Sequence, residues 1–77
     1  IYQAQSNLAT AEAQLQQGLA QLQLAEVNRD RAAQLVAAGA VSREQFDQAQ
    51  TAYASAQATV AANQKQVESA RGALTLA

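Results

Sequence analysis

Large residues recur every seven positions along both halves of the chain, and most are followed three positions later by a small one. In the first half the large series is Ile1, Leu8, Leu15, Leu22, Arg29 and Val36, and the small series is Ala4, Ala11, Gly18, Ala25 and Ala32. In the second half the large series is Phe46, Tyr53, Val60, Val67 and Leu74, and its partners are Ala49, Ala56, Asn63, Ala70 and Ala77. Alternating steps of three and four place such residues along one side of a helix, so the pattern predicts two long coiled-coil helices.

A short link separates the two periodic halves. Gly39 is suited to the position after a helix C-terminus because it tolerates a positive φ. Ser42 is suited to an N-cap, Gln45 completes a capping box, and Val41 and Phe46 fit a hydrophobic staple. The sequence therefore predicts one domain, residues 1–77, with a first helix over about 1–37, a turn over about 38–42 and a second helix over about 43–77.

A link this short makes the two helices antiparallel neighbours. If facing residues have numbers that sum to 78, large residues meet small ones along the seam: Leu22 faces Ala56, for example, and Leu15 meets Asn63. The predicted fold is all-α, a two-helix antiparallel coiled-coil hairpin. Because a two-helix seam buries its side chains only partly, we expect the rod to be marginal alone and to pack against copies of itself or a partner.

Composition excludes several classes of function. The net charge of -1 provides no basic surface for nucleic acid, and no apolar run approaches the ~20 residues that span a bilayer. The chain has no histidine, cysteine or glycine-rich phosphate loop, and its carboxylates are spread along a rod without a pocket. We therefore predict no enzymatic activity, no cofactor and no metal.

Four residues of the first helix face away from the seam and form a stripe that runs towards the turn: Leu24, Val27, Arg31 and Leu35. Single exposed apolar residues are common and need no function, so this stripe is either incidental or a contact surface for another helix. Arg29 occupies an inward position, and we expect it to reach solvent and to pair with Glu26 or relieve an overly apolar seam.

The residues around the turn resemble those of periplasmic adaptor proteins, also called membrane fusion proteins, of the AcrA/MexA/HlyD type. Around the tip of their coiled-coil hairpin these proteins carry an arginine, a leucine four residues later and a serine seven beyond that. Arg31, Leu35 and Ser42 have that spacing within "RAAQLVAAGAVS". The following "SREQFDQAQTAYASAQATV" is similar to the family's second helix, and "YQAQSNLATAEAQL" and "VESARGALTLA" are similar to the ends of such hairpins.

The resemblance implies a hairpin of a tripartite efflux or secretion pump adaptor, with no reaction of its own. Its tip would dock on a TolC-like outer-membrane channel, with contacts made by Arg31, Leu35 and Ser42. Neighbouring adaptor copies would form a ring or tube, and Leu24 and Val27, if the outward stripe is a contact surface, would supply a lateral contact. Domains that this chain lacks would reach the inner-membrane transporter, so we interpret the chain as an excised or grafted hairpin located in the periplasm of a Gram-negative bacterium.

The main alternative is a purely structural coiled coil, a spacer or oligomerisation rod whose tip binds nothing. The alanine seam is expected in both cases, whereas the outward stripe and the tip residues favour the adaptor. The transporter class (RND, major facilitator or ABC), the exported compound and the number of adaptors per pump stay open. We also expect the isolated rod to self-associate at high concentration. An interfacial membrane helix is disfavoured because a Lys/Arg-rich face is missing.

Overall fold

The protein is a thin antiparallel hairpin of two helices. The computed structural model describes residues 2–76, with α1 at Tyr2–Ala37 and α2 at Arg43–Leu76. The rod measures 57 × 13 × 11 Å between its outermost Cα atoms, with the turn at one end and both termini at the other. The predicted all-α hairpin class is confirmed. Ile1 and Ala77, at the outer ends of the predicted heptads, lie outside the described residues.

The heptad residues form the seam between the helices. Ala11, Gly18, Val60 and Val67 are buried, and the half-buried residues within the helices also fall on predicted heptad positions. Those half-buried residues are Ala4, Leu8, Leu15, Leu22, Ala25, Arg29, Ala32, Val36, Phe46, Ala49, Tyr53, Ala56, Asn63, Ala70 and Leu74. The predicted seam is therefore confirmed on every turn of both described helices.

The two helices approach each other closely at Gly18. A Cβ atom at this position would lie 2.6 Å from Asn63 Nδ2 and 3.5 Å from a Val60 methyl group, so a side chain here forces Asn63 to move. The Asn63 amide uses this space to donate a hydrogen bond to the carbonyl oxygen of Gln14 at 3.2 Å. A polar side chain inside the seam is thereby satisfied by the backbone of the opposite helix.

The end of α1 is closed by a Schellman motif. Gly39 has φ 75°, and its N–H donates to the carbonyl of Val36 at 3.0 Å. The N–H of Ala40 donates to the carbonyl of Leu35 at 2.8 Å. These two bonds satisfy carbonyls that the helix end leaves open, and the left-handed backbone is the reason for a glycine here.

The start of α2 is fixed by the predicted capping box. Gln45 N donates to Ser42 Oγ at 3.2 Å, and Ser42 N donates to Gln45 Oε1 at 3.3 Å. Val41 and Phe46, the two residues of the predicted staple, are both half-buried. The turn is therefore ordered by its own hydrogen bonds and holds the two helix ends side by side.

The core of the rod is small: Ala11, Val60 and Val67 are buried, but no large side chain among residues 2–75 is fully buried. Neither described helix carries an apolar stretch of the length and hydropathy that crossing a membrane requires. Cohesion depends on the buried Val60 and Val67 together with many partly buried contacts along the seam, and each partly buried contact is worth less than the ~1.5–3 kcal/mol of a fully buried aliphatic side chain.

Candidate functional site

The candidate site is the hairpin tip, which we define as residues 26–47. Seven of the eleven charged residues of the chain lie in this segment: Glu26, Arg29, Asp30, Arg31, Arg43, Glu44 and Asp47. Both helix ends and the turn are inside it, so the chain reversal concentrates these charges at one end of the rod.

Arg29 is held within the rod by two neighbours. Its guanidinium carbon lies 4.3 Å from the centroid of the Tyr53 ring on α2, an arrangement typical of a cation–π contact. Its Nε and Nη2 atoms donate to Asp30 Oδ1 at 3.2 and 2.8 Å. The hydrogen bond to Asp30 raises the pKa of Arg29 above its ordinary value; desolvation opposes this shift, and the charges of Asp30, Tyr53 and Glu26 add smaller increases.

Of the two alternatives predicted for Arg29, pairing with Glu26 is not observed, because its carboxylate partner is Asp30. The guanidinium lies over the Tyr53 ring, and in that position two of its nitrogen atoms reach the carboxylate of the next residue in the chain. In the sequence Asp30 stands between Arg29 and Arg31, and this arrangement could have indicated that one of the two arginines would pair with it.

Arg31 differs from Arg29 in all of these respects. It is exposed on α1, and among the side chains of residues 2–76 it makes no ion pair and no hydrogen bond. Its guanidinium presents its donors to solvent in a fork that suits carboxylates and carbonyl oxygens. Of the two neighbouring arginines, Arg31 is the one whose bonding capacity the fold leaves unused.

The outward stripe of α1 is exposed as predicted. Leu24, Val27 and Leu35 have exposed fractions of 62%, 46% and 37%. The other exposed large apolar residues of the described chain, Tyr2 and Leu19, also belong to α1, whereas α2 has none in the part described. The two helices therefore differ, because the exposed large apolar side chains of the described chain all belong to α1.

Ser42 lies across the turn from Arg31 and Leu35, and its hydroxyl oxygen already accepts the capping bond from Gln45. Arg31 and Leu35 are one helical turn apart on the same side of α1, about 6 Å along its axis. No hydrogen bond in the described chain joins the three predicted contact residues to one another. The fold thus exposes all three near one end of the rod, two of them on one helix.

The acidic side chains of the tip are spread out rather than clustered. Within residues 2–76, no three acidic side chains come together in a way that would hold a cation. Near the turn, a small cleft of about 140 Å³ is lined by Ala33, Val36, Arg43 and Phe46. What this end of the rod offers is the exposed guanidinium of Arg31 and the exposed apolar side chains of Val27 and Leu35 on one helix, which suits recognition of another protein surface.

Comparison with known proteins gives one match. The family model described as "RND MFP, alpha-helical hairpin domain" matches residues 3–77. No curated protein and no solved structure matches the chain. Members of this family are periplasmic adaptors that work with outer-membrane channels and inner-membrane transporters. Since the match covers nearly the whole chain, this protein belongs to the RND membrane fusion protein family and forms the alpha-helical hairpin of an efflux adaptor.

Proposed function

We propose that this hairpin docks by its tip on a TolC-like outer-membrane channel, and that Arg31, Leu35 and Ser42 make the contact. The observation that carries the proposal is the difference between the two arginines. Arg29 is held by Asp30 and Tyr53, whereas Arg31 stands exposed beside Leu35. A helix that only supports the hairpin has no need for an exposed cation and an exposed leucine on one side of its last turns.

Each residue has a distinct role in the proposed contact. Arg31 donates hydrogen bonds to carboxylate or carbonyl oxygens at the helical end of the channel. Leu35 enters an apolar groove between channel helices, whereas Leu24 and Val27 supply a lateral contact along the rod. Ser42 keeps its capping bond and presents its hydroxyl to the partner. The contact is recognition between helical hairpins and involves no chemical step.

The transporter is reached through other parts of the adaptor. Among the three transporter classes that the sequence leaves open, the family description favours an RND transporter as the inner-membrane partner. We further propose a role in multidrug efflux in the periplasm of a Gram-negative bacterium, with the adaptor anchored at the inner membrane and neighbouring copies around the channel.

Leu35→Asp tests the apolar part of the contact, and Leu19→Asp is its matched control. Leu19 is on the same helix and has an exposed fraction of 38%, against 37% for Leu35, but it lies outside the tip. We expect Leu35→Asp to abolish capture of the channel from the same organism in a pull-down with the purified hairpin. Leu19→Asp should retain capture, and circular dichroism should show both variants folded.

Arg31→Glu tests the polar part, with Arg43→Glu as its control. Both arginines are exposed and lie in the tip, but Arg43 begins α2 and lines the cleft with Phe46. We expect capture to be lost in Arg31→Glu and kept in Arg43→Glu. Retained capture in both Arg31→Glu and Leu35→Asp would instead favour the alternative function, a structural rod whose tip binds nothing.

A further inference from the structure

The pairing of large with small residues along the seam does not by itself fix how far one helix is shifted along the other. In the predicted register, which the close approach of Gly18 to Val60 matches, the numbers of facing residues sum to 78. A shift of one heptad changes this sum to 71 or 85, and large residues again face small ones along the seam. With a sum of 85, for example, Leu15 faces Ala70 and Ala25 faces Val60. The seam pattern therefore permits three registers.

Two positions interrupt this repetition, and the fold brings them together. Gly18 is the one member of the small series of α1 without a Cβ atom, and Asn63 is the one polar member of the small series of α2. Asn63 Nδ2 donates a hydrogen bond to the carbonyl oxygen of Gln14 at 3.2 Å. A Cβ atom at position 18 would lie only 2.6 Å from the same nitrogen. The bond therefore depends on the glycine beside it.

A shift of one heptad in either direction separates the two positions. It places Ala11 or Ala25 where Gly18 lies in the observed register, and the methyl group of either alanine occupies the space that the Asn63 amide uses. Asn63 is half-buried, so its amide would then leave the seam or lose its acceptor. The shifted registers thus carry a cost that the alternation of large and small residues does not impose.

From these observations we infer that Gly18 and Asn63 form a register lock, which selects the observed alignment of α1 and α2 over the two alignments shifted by one heptad. A polar residue at one seam position of a coiled coil specifies register at some cost in stability. Here the amide binds the backbone of the opposite helix, and the selectivity arises because the residue beside that backbone carbonyl has no side chain.

The position of the register lock complements that of the turn. Gly39 and Ser42 fix the ends of the helices at the tip through local hydrogen bonds. Gly18 precedes Gly39 by 21 residues, which corresponds to about 30 Å along a helix. The register lock therefore holds the alignment in the half of the rod nearer the termini, where the turn has no direct contact.

The register determines which residues stand at the tip. With a sum of 71 the chain would reverse near Leu35 and Val36, and with a sum of 85 it would reverse near Ser42 and Arg43. If the tip docks on a channel as proposed above, the register lock keeps Arg31 and Leu35 together on α1. This consequence rests on the proposed function, whereas the register is measured on the purified chain alone, so either proposal can fail without the other.

Pairs of introduced cysteines can report the register, because the chain has no cysteine of its own. Ala4→Cys with Leu74→Cys joins facing positions of the observed register. Ala11→Cys with Leu74→Cys reports the sum of 85, and Ala4→Cys with Val67→Cys reports the sum of 71. One heptad is about 10 Å along a helix, more than the separation of Cα atoms that a disulfide tolerates. Equilibration in a glutathione buffer gives the effective concentration of each pair.

The test variant is Gly18→Ala with Asn63→Ala, which makes the seam uniform. Its matched control is Asn7→Ala with Gly72→Ala, the same two kinds of substitution at exposed positions. Each is combined with all three cysteine pairs, and each pair is compared across backgrounds so that its own effect on stability cancels.

In the native and control backgrounds, the observed-register pair should exceed both shifted pairs in effective concentration by about tenfold or more. In the test variant this ratio should fall by about threefold or more. Urea titration should show the test variant at least as stable as the native chain, because the substitutions remove selectivity and leave the apolar seam intact.

Three results would overturn the proposal. An unchanged ratio in the test variant would show that the turn alone fixes the register. An equal fall in the control would show that the loss does not depend on the seam. A test variant less stable than the native chain would show that Gly18 and Asn63 stabilise the hairpin instead of selecting its register.

Discussion

The hairpin tip differs from the open half of the rod, which we define as residues 2–25 and 54–76. The open half contains the close packing, whereas the tip contains most of the charged residues. All four buried residues, Ala11, Gly18, Val60 and Val67, lie in the open half, and none of the residues in the tip is buried to the same extent. The tip instead contains seven of the eleven charged residues of the chain. It also contains two exposed apolar residues of α1, Val27 and Leu35. Close packing and available chemistry therefore occupy different lengths of one rod, so stability and binding should respond to different substitutions.

The largest effect on stability should come from the buried valines of the open half. Val60→Ala and Val67→Ala should each lower the free energy of unfolding by about 2 kcal/mol, because each removes two methyl groups from the closest part of the seam. Val27→Ala in the tip, where the valine is exposed, should change it by no more than about 0.5 kcal/mol. Urea titration followed by circular dichroism measures all three. Equal losses at Val60 and Val27 would remove the distinction between the two halves.

A smaller effect is expected at the turn, where Ser42 takes part in folding as well as in the proposed contact. Ser42→Ala should cost about 1 kcal/mol, because the Gln45 N–H loses its acceptor. Ser42→Asp keeps an acceptor at the N-cap and should retain stability in the same urea titration, while it replaces the hydroxyl donor. If Ser42→Asp binds the channel as well as the native chain does, the serine acts only as a cap.

The smallest effect on stability should be the difference between alanine substitutions at two glycines of the open half, Gly72 and Gly18. Gly72→Ala meets nothing within 4 Å and should stabilise the hairpin by about 0.5–1 kcal/mol through helix propensity. Gly18→Ala should not show this stabilisation, because the new methyl group displaces the Asn63 amide from the Gln14 carbonyl. In an Asn63→Ala background the gain at Gly18 should return. Equal stabilisation at both glycines in the native background would mean that the close approach at Gly18 is not energetically coupled to Asn63.

Much of the fold could be predicted from the sequence because it follows local rules. The seven-residue period identifies the seam residues, and the glycine and serine between the halves identify where the chain reverses, since only a few backbone conformations join two helices over so few residues. The capping bonds between Ser42 and Gln45 were predictable for the same reason, because three residues separate the partners.

The details that the sequence did not predict depend on side-chain positions across the seam. Pairing numbers that sum to 78 places Asn63 opposite Leu15, but the amide turns towards Gly18 and finds the Gln14 carbonyl. The pairing of Arg29 with Asp30 depends on the Tyr53 ring, which arrives from the other helix. The roles of Arg31, Leu35 and Ser42 in docking stay predictions, because a contact residue is defined by a partner surface that this sequence does not contain.

The most direct test of the division between folding and binding is to compare Arg29→Gln with Arg31→Gln in one set of measurements. Each variant removes one positive charge, and the two positions are two residues apart on α1. We predict that Arg29→Gln lowers stability in urea, because it loses Asp30 and the Tyr53 ring, yet still captures the channel while folded. We predict that Arg31→Gln keeps native stability and loses capture. The reverse result, with capture dependent on Arg29 and not on Arg31, would contradict the account.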